Sequence, residues 1–170
     1  MCSSDLNAAQ YRDFCLIVGN PDQLCFYSNR GRGPEEIARG IHGLSNHLLD
    51  TPWPKVRIGR ERVEALLGRP EDVLVEGLFE ILADRTPAPD AELPDTGVGL
   101  QRERELSPCF IADERYGTRA STVMLVTRNR EVLFIERAFG PLGAPQGTVE
   151  RRFALNPSVN ANVNATTSGR

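Results

Sequence analysis

The sequence predicts an α+β domain, on three observations. Short strand-like runs lie toward both ends of the chain, two segments of helical periodicity sit between them, and stretches rich in Gly, Pro and Asp separate the elements. At 170 residues the chain suits one domain with a sizeable core.

Residues 11–18 and 24–27 read as two strands joined by Gly19-Asn20-Pro21-Asp22, a strong turn signal. Residues 28–39 form a loop rich in Gly and Arg, and 41–44 read as a further short strand ending at Ser45-Asn46. Pro52-Trp53-Pro54 leads into a helix over 55–67, where Val56, Val63, Leu66 and Leu67 recur at helical spacing before Gly68 and Pro70 stop it. Asp72 is the expected cap of a second helix reaching about Ala83, with Val73, Leu74, Leu78, Phe79, Ile81 and Leu82 as a broad apolar face. Residues 86–99 are loop, and Phe110-Ile111 a brief strand. The clearest hairpin pairs 118–127 with 131–137 across Arg128-Asn129-Arg130. Beyond Phe139 the pattern fades, and 140–170 is expected to be a largely disordered tail. Residues 1–10 read as a leader without strand character.

Composition narrows the function classes. Hydrophobic content is 40%, charged content 25% and net charge -3, so nothing marks a nucleic-acid surface. No apolar stretch approaches a membrane span and no secretory signal opens the chain, so a cytoplasmic location is expected. Cys2, Cys15, Cys25 and Cys109 lack metal-ligand spacing, as do His42 and His47. Neither metal nor cofactor is expected.

The candidate site residues each carry two readings. Asn46 is either a turn cap or, at a strand end, an NH2 donor suited to a developing oxyanion; residue type alone favours the turn. Trp53, the single tryptophan, serves equally as core or as pocket wall. Arg119 enters an apolar strand: pointing inward it requires a carboxylate or an anionic ligand, pointing outward it is a solvated end. Ser121 shares its strand face. Cys2 becomes an N-terminal thiol once Met1 is removed, but Ser3-Ser4-Asp5-Leu6-Asn7 behind it does not read as the rigid strand such a nucleophile needs.

Five runs then fall in one order: Phe26-Tyr27-Ser28-Asn29-Arg30-Gly31, Gly43-Leu44-Ser45-Asn46, Leu48-Leu49-Asp50-Thr51-Pro52-Trp53-Pro54-Lys55, Leu93-Pro94-Asp95-Thr96-Gly97 and Tyr116-Gly117-Thr118-Arg119-Ala120-Ser121-Thr122-Val123. Together, over 11–139, they resemble the NRDE family, also called the Transport and Golgi Organisation 2 family. The resemblance implies the C-terminal half of an N-terminal nucleophile (Ntn) hydrolase-like sandwich, two antiparallel sheets between helical layers. It implies that Asn46 is an oxyanion-hole donor and that Arg119 lies near a cysteine nucleophile. The Met-Cys strand and Asn-Arg-Asp-Glu motif that open complete members do not occur here, so the nucleophile is unassigned. What the resemblance implies in function is lipid, acyl-CoA or haem handling and Golgi organisation, with hydrolysis of linear amides as the alternative when full length. A small amphipathic or amide ligand is the expected partner, with self-association through uncovered sheet edges.

Overall fold

Two three-stranded antiparallel sheets organise the described residues, each built from strands adjacent in sequence, in the orders β1-β2-β3 and β4-β5-β6. The structure is a computed structural model, and it describes residues 10–156. Cys2 lies outside them, as do most of the expected leader and the end of the expected tail.

The first sheet comprises β1 (Cys15–Asn20), β2 (Gln23–Ser28) and β3 (Glu35–Ile37). Asn20 pairs with Gln23, so Pro21-Asp22 alone makes the turn, and the Asn20 side chain accepts the amide hydrogens of Asp22 and Gln23. The sequence placed β3 inside a loop. Its pairing with β2 over Glu35, Glu36 and Ile37 supplies what periodicity cannot register in three residues.

Helix α1 (Pro54–Leu66) follows a long loop, and helix α2 (Glu71–Leu82) packs against it. Both helices were legible, but the cap was not. Pro70 precedes α2, while Glu71 and Asp72 sit inside its first turn, where their charge complements the helix dipole. Gly77 lets the two helices approach, because a Cβ there would lie 2.5 Å from Leu66 Cδ2. A 3-10 turn at Asp90–Glu92 lies within the stretch that reads as loop, and a short helix α3 (Leu100–Leu106) follows it, where the sequence suggests no element.

The second sheet carries the core. Strands β4 (Ala120–Val126) and β5 (Glu131–Phe139) form the expected hairpin. Alternation places Ser121, Val123 and Leu125 with Leu133 and Ile135 on one face, and α2 covers it with Val75 and Phe79. Arg137 on that face lies over the Phe79 ring at 3.8 Å and pairs with Glu76 at 2.7 Å.

Three expectations fail. Residues 141–154 are ordered, because β6 (Pro145–Ala154) pairs along the whole of β5. All ten of its residues are exposed, so it carries no buried apolar face; the backbone ladder along β5 and the Arg152–Glu71 pair at 2.9 Å hold it. Residues 41–44 form no strand; they belong to a loop closed by side chains. Phe110-Ile111 is likewise no strand. Phe110 is buried under Arg85 and against Phe139, while Ile111 exchanges hydrogen bonds with Thr118 alone.

Candidate functional site

The loop between β3 and α1 holds the Gly-Leu-Ser-Asn run, and one residue, Asp50, shapes it. The Asp50 amide donates to the Gly43 carbonyl at 2.8 Å, and the Gly43 amide donates to Asp50 Oδ1 at 2.8 Å. This reciprocal pair ties residues 43 and 50 together and pushes Asn46 out to the loop tip. Asp50 reaches the geometry with φ of 56°, a left-handed conformation that Asp tolerates better than most residues. Gly43 is obligatory for a different reason, since a Cβ there would lie 2.6 Å from Val56 Cγ1.

Asp50 also contacts the His42 ring and the Arg60 guanidinium. His42 Nδ1 lies 2.6 Å from Asp50 Oδ2, His42 Nε2 lies 2.9 Å from the Ala38 carbonyl, and Arg60 of α1 lies 3.5 Å from Asp50 Oδ1. Burial pushes the Asp50 carboxyl up, but the Gly43 amide, the His42 ring and the Arg60 charge outweigh it. The carboxyl is held below its ordinary value. In the sequence Asp50 stands out only within the Leu48–Lys55 run; its partners lie seven or more residues away, Gly43 and His42 on the same loop and Arg60 on α1.

A second connection joins this loop to the first sheet. Arg30 donates to the Asn46 carbonyl at 3.4 Å and pairs with Asp13, and the Cys15 thiol donates to the His47 carbonyl at 3.1 Å. The Phe26–Gly31 and Gly43–Asn46 runs are therefore neighbours in space. His47 also contacts the Trp53 ring at 5.7 Å and Thr51 Oγ1 at 2.8 Å. Trp53 is half-buried at the start of α1, where Pro54 occupies the first helical position. Lys55 next to it donates from Nζ to the Leu106 carbonyl at 2.7 Å, and burial lowers its pKa from the ordinary lysine value.

A cleft of about 540 Å3 opens between this loop and α1, lined by Ile41, Asp50, Pro52, Val56, Arg57 and Arg60 among others. Its lining mixes apolar side chains with charged ones, Glu61 and Glu64 included; Arg57 is tied to Glu92 at 2.7 Å and Arg60 to Asp50 at 3.5 Å.

The expected site residues are distributed as follows. Asn46 is exposed at the loop tip, and its side chain has no hydrogen-bond partner among the described residues. Arg119 is exposed ahead of β4, with its carbonyl accepting from the Phe139 amide and its guanidinium unpaired among the described residues. Ser121 is buried on the α2 face of the second sheet. No hydrogen bond, ion pair or ring contact among the described residues joins Asn46 or Trp53 to Arg119 or Ser121. The structure thus gathers the first half of the expected constellation around Asp50 and leaves the second half on a separate sheet.

Sequence reasoning also passed over Glu103. It is buried and accepts from the Thr96 amide at 2.8 Å and the Thr96 hydroxyl at 2.6 Å, which fixes the Leu93–Gly97 run as a rigid turn. Its position on an otherwise charged short helix gave no periodic signal.

No described helix is long and apolar enough to cross a membrane. Among the described residues no group of three or more His, Cys, Asp or Glu is placed to hold a metal ion.

Comparison with known proteins agrees with the family resemblance. The profile described as Transport and Golgi organisation 2 matches residues 2–141. A Mus musculus protein named Transport and Golgi organization 2 homolog is 38% identical over 136 residues, covering 72% of this chain and 48% of the relative. The Bos taurus and Homo sapiens proteins of nearly the same name are 38% and 35% identical over 145 residues, covering 75% of this chain and 51% of each relative. The chain spans about half the length of the curated relatives it matches. On the extent of the profile match, the chain belongs to the Transport and Golgi organisation 2 family.

Proposed function

We propose that this chain contributes to the handling of an amphipathic ligand, an acyl thioester or haem, in support of secretory-pathway organisation. The proposal places it within an Ntn hydrolase-like sandwich and in the cytoplasm. One observation carries it: the Gly43–Asp50 loop and the first turns of α1 wall a cleft where Ile41, Pro52 and Val56 lie beside charged groups. These are the carboxylate-paired guanidinium groups of Arg57 and Arg60 and the carboxylates of Asp50, Glu61 and Glu64. Ile41, Pro52 and Val56 suit a hydrocarbon or a porphyrin edge. Arg57 and Arg60 suit phosphate or propionate, since a planar guanidinium binds such groups with two parallel hydrogen bonds. The relatives' names speak of transport and Golgi organisation, which fits a carrier better than a degradative enzyme. The layering also supports the sandwich reading, with α2 on one face of an antiparallel sheet.

A second reading, hydrolysis of a linear amide by the full-length protein, is favoured by Asn46. An oxyanion donor must keep an N–H available for the developing charge, and this side chain is unpartnered among the described residues. Arg119 would then orient the nucleophile or bind substrate charge.

The deciding experiment uses a full-length relative with its N-terminal Cys changed to Ala. Amide turnover and affinity for palmitoyl-CoA and haem are measured separately. Binding without turnover in either form supports the carrier. Turnover that disappears in the variant while binding persists supports the hydrolase. Absence of both, with Arg60→Ala of this chain also silent in the same titrations, ends the cleft proposal.

A further inference from the structure

Strand β1 has the composition of an interior strand and stands at an edge. Cys15, Leu16, Ile17 and Val18 are apolar in succession, so both faces are apolar, and β1 contains no charge and no proline. Such runs belong to strands covered above and below. Edge strands are ordinarily guarded by charge, brevity or a bulge. The opposite edge of the same sheet obeys that rule, because β3 is three residues long and carries Glu35 and Glu36. The β6 edge of the second sheet is guarded by Glu150, Arg151 and Arg152. In β1, however, Leu16, Ile17 and Val18 are 46%, 44% and 50% exposed. The register with β2 is unbroken over six pairs, and no described residue pairs with its other side.

We propose that the free side of β1 is a strand-docking site for polypeptide of the kind the relatives carry outside the matched half, entering as an apolar extended segment with a covering layer. The proposal rests on the sandwich reading above and specifies where the sheet grows. Two arguments select this occupant. The relatives are about twice as long as the stretch they share with this chain. A second copy of the chain fits less well, since pairing β1 to its own symmetry mate extends the sheet sideways and leaves the Leu16, Ile17 and Val18 side chains uncovered on its two faces.

The test mixes this chain with the part of the Mus musculus relative that lies outside the match, and follows complex formation and amide hydrogen exchange. Expected is a one-to-one complex in which exchange over 15–20 slows by about tenfold or more relative to the chain alone. Ile17→Lys combined with Val18→Lys should weaken capture by about tenfold or more, since a lysine ammonium buried without a partner is strongly disfavoured. Val73→Lys, on the exposed side of α2, should leave capture unchanged. A complex in which 15–20 exchanges as before overturns the edge assignment and leaves the sandwich reading standing. Protection already present in the chain alone, or a β1-linked homodimer that the fragment does not displace, overturns the choice of occupant. If no complex forms, the strand of the intact relative that aligns with 15–20 decides. Uniformly slow exchange there supports the proposal, and edge-like exchange of alternate amides overturns it together with the sandwich reading.

Discussion

Gly43→Ala is the sharpest probe of how the cleft is built. The added methyl would lie 2.6 Å from Val56 Cγ1, 3.5 Å from Val56 Cβ and 3.6 Å from Arg60 Cδ. Ordinary carbon contacts lie near 3.5–4.0 Å, so the loop or the helix must move by about 1 Å. Val56 is 6% exposed and β-branched, and a valine in a helix holds one dominant rotamer, so it cannot rotate aside. Overpacking of this kind costs about 1–3 kcal/mol, and a rigid neighbour argues for the upper half of that range. For a chain of this size a loss of 2 kcal/mol lowers Tm by about 4–8 °C. Thermal unfolding by circular dichroism measures it. Val56→Ala should destabilise alone yet relieve the clash, so the double variant should be more stable than the sum of the singles by about 1 kcal/mol or more. Additive losses, or a Gly43→Ala variant as stable as the parent, would refute the close approach on which the cleft wall depends.

Phe79→Ala removes the largest side chain under the second sheet and should cost about 3–5 kcal/mol, read by urea unfolding. Because the Asp50 carboxyl is held below its ordinary value, its contribution to stability is complete above the unfolded-state carboxylate pKa and is lost as pH falls through the lower folded value. Asp50→Asn should therefore flatten that part of the acid limb of stability against pH, and an unchanged limb would count against the His42 and Arg60 pairing. Glu103→Ala should cost about 1–3 kcal/mol by stranding the Thr96 donors, with Glu103→Gln recovering part of it. Asn46→Ala should change stability by less than about 0.5 kcal/mol, since the side chain is exposed. Any effect on ligand affinity or turnover in the same variant then reports function rather than folding.

Legibility in the sequence followed the range of the interaction involved. Val56, Val63 and Leu66 announced α1 through a period of a single helix, and the apolar runs 123–126 and 132–135 announced the core hairpin across the short turn between them. Both patterns are local, so one strand or helix contains the whole signal. The family was legible as well, because ordered runs of unusual residues survive without any knowledge of shape. β6 was not, since its order comes from the backbone ladder along β5 and leaves no trace in side-chain hydropathy. Asp50 was not, since a carboxylate that binds Gly43, His42 and Arg60 reads, residue by residue, like any helix cap.

The chain's α+β character, its two principal helices, its central hairpin and its family were determined by the sequence alone. Tertiary structure decided that the strands divide into two sheets, that Asn46 rides a loop closed by Asp50, and that Asn46 and Arg119 stand on different elements without a shared contact. The physical reason is that periodicity encodes which face of an element is buried. Only the folded chain fixes which distant hydrogen-bond donors, carbonyls and methyl groups meet there.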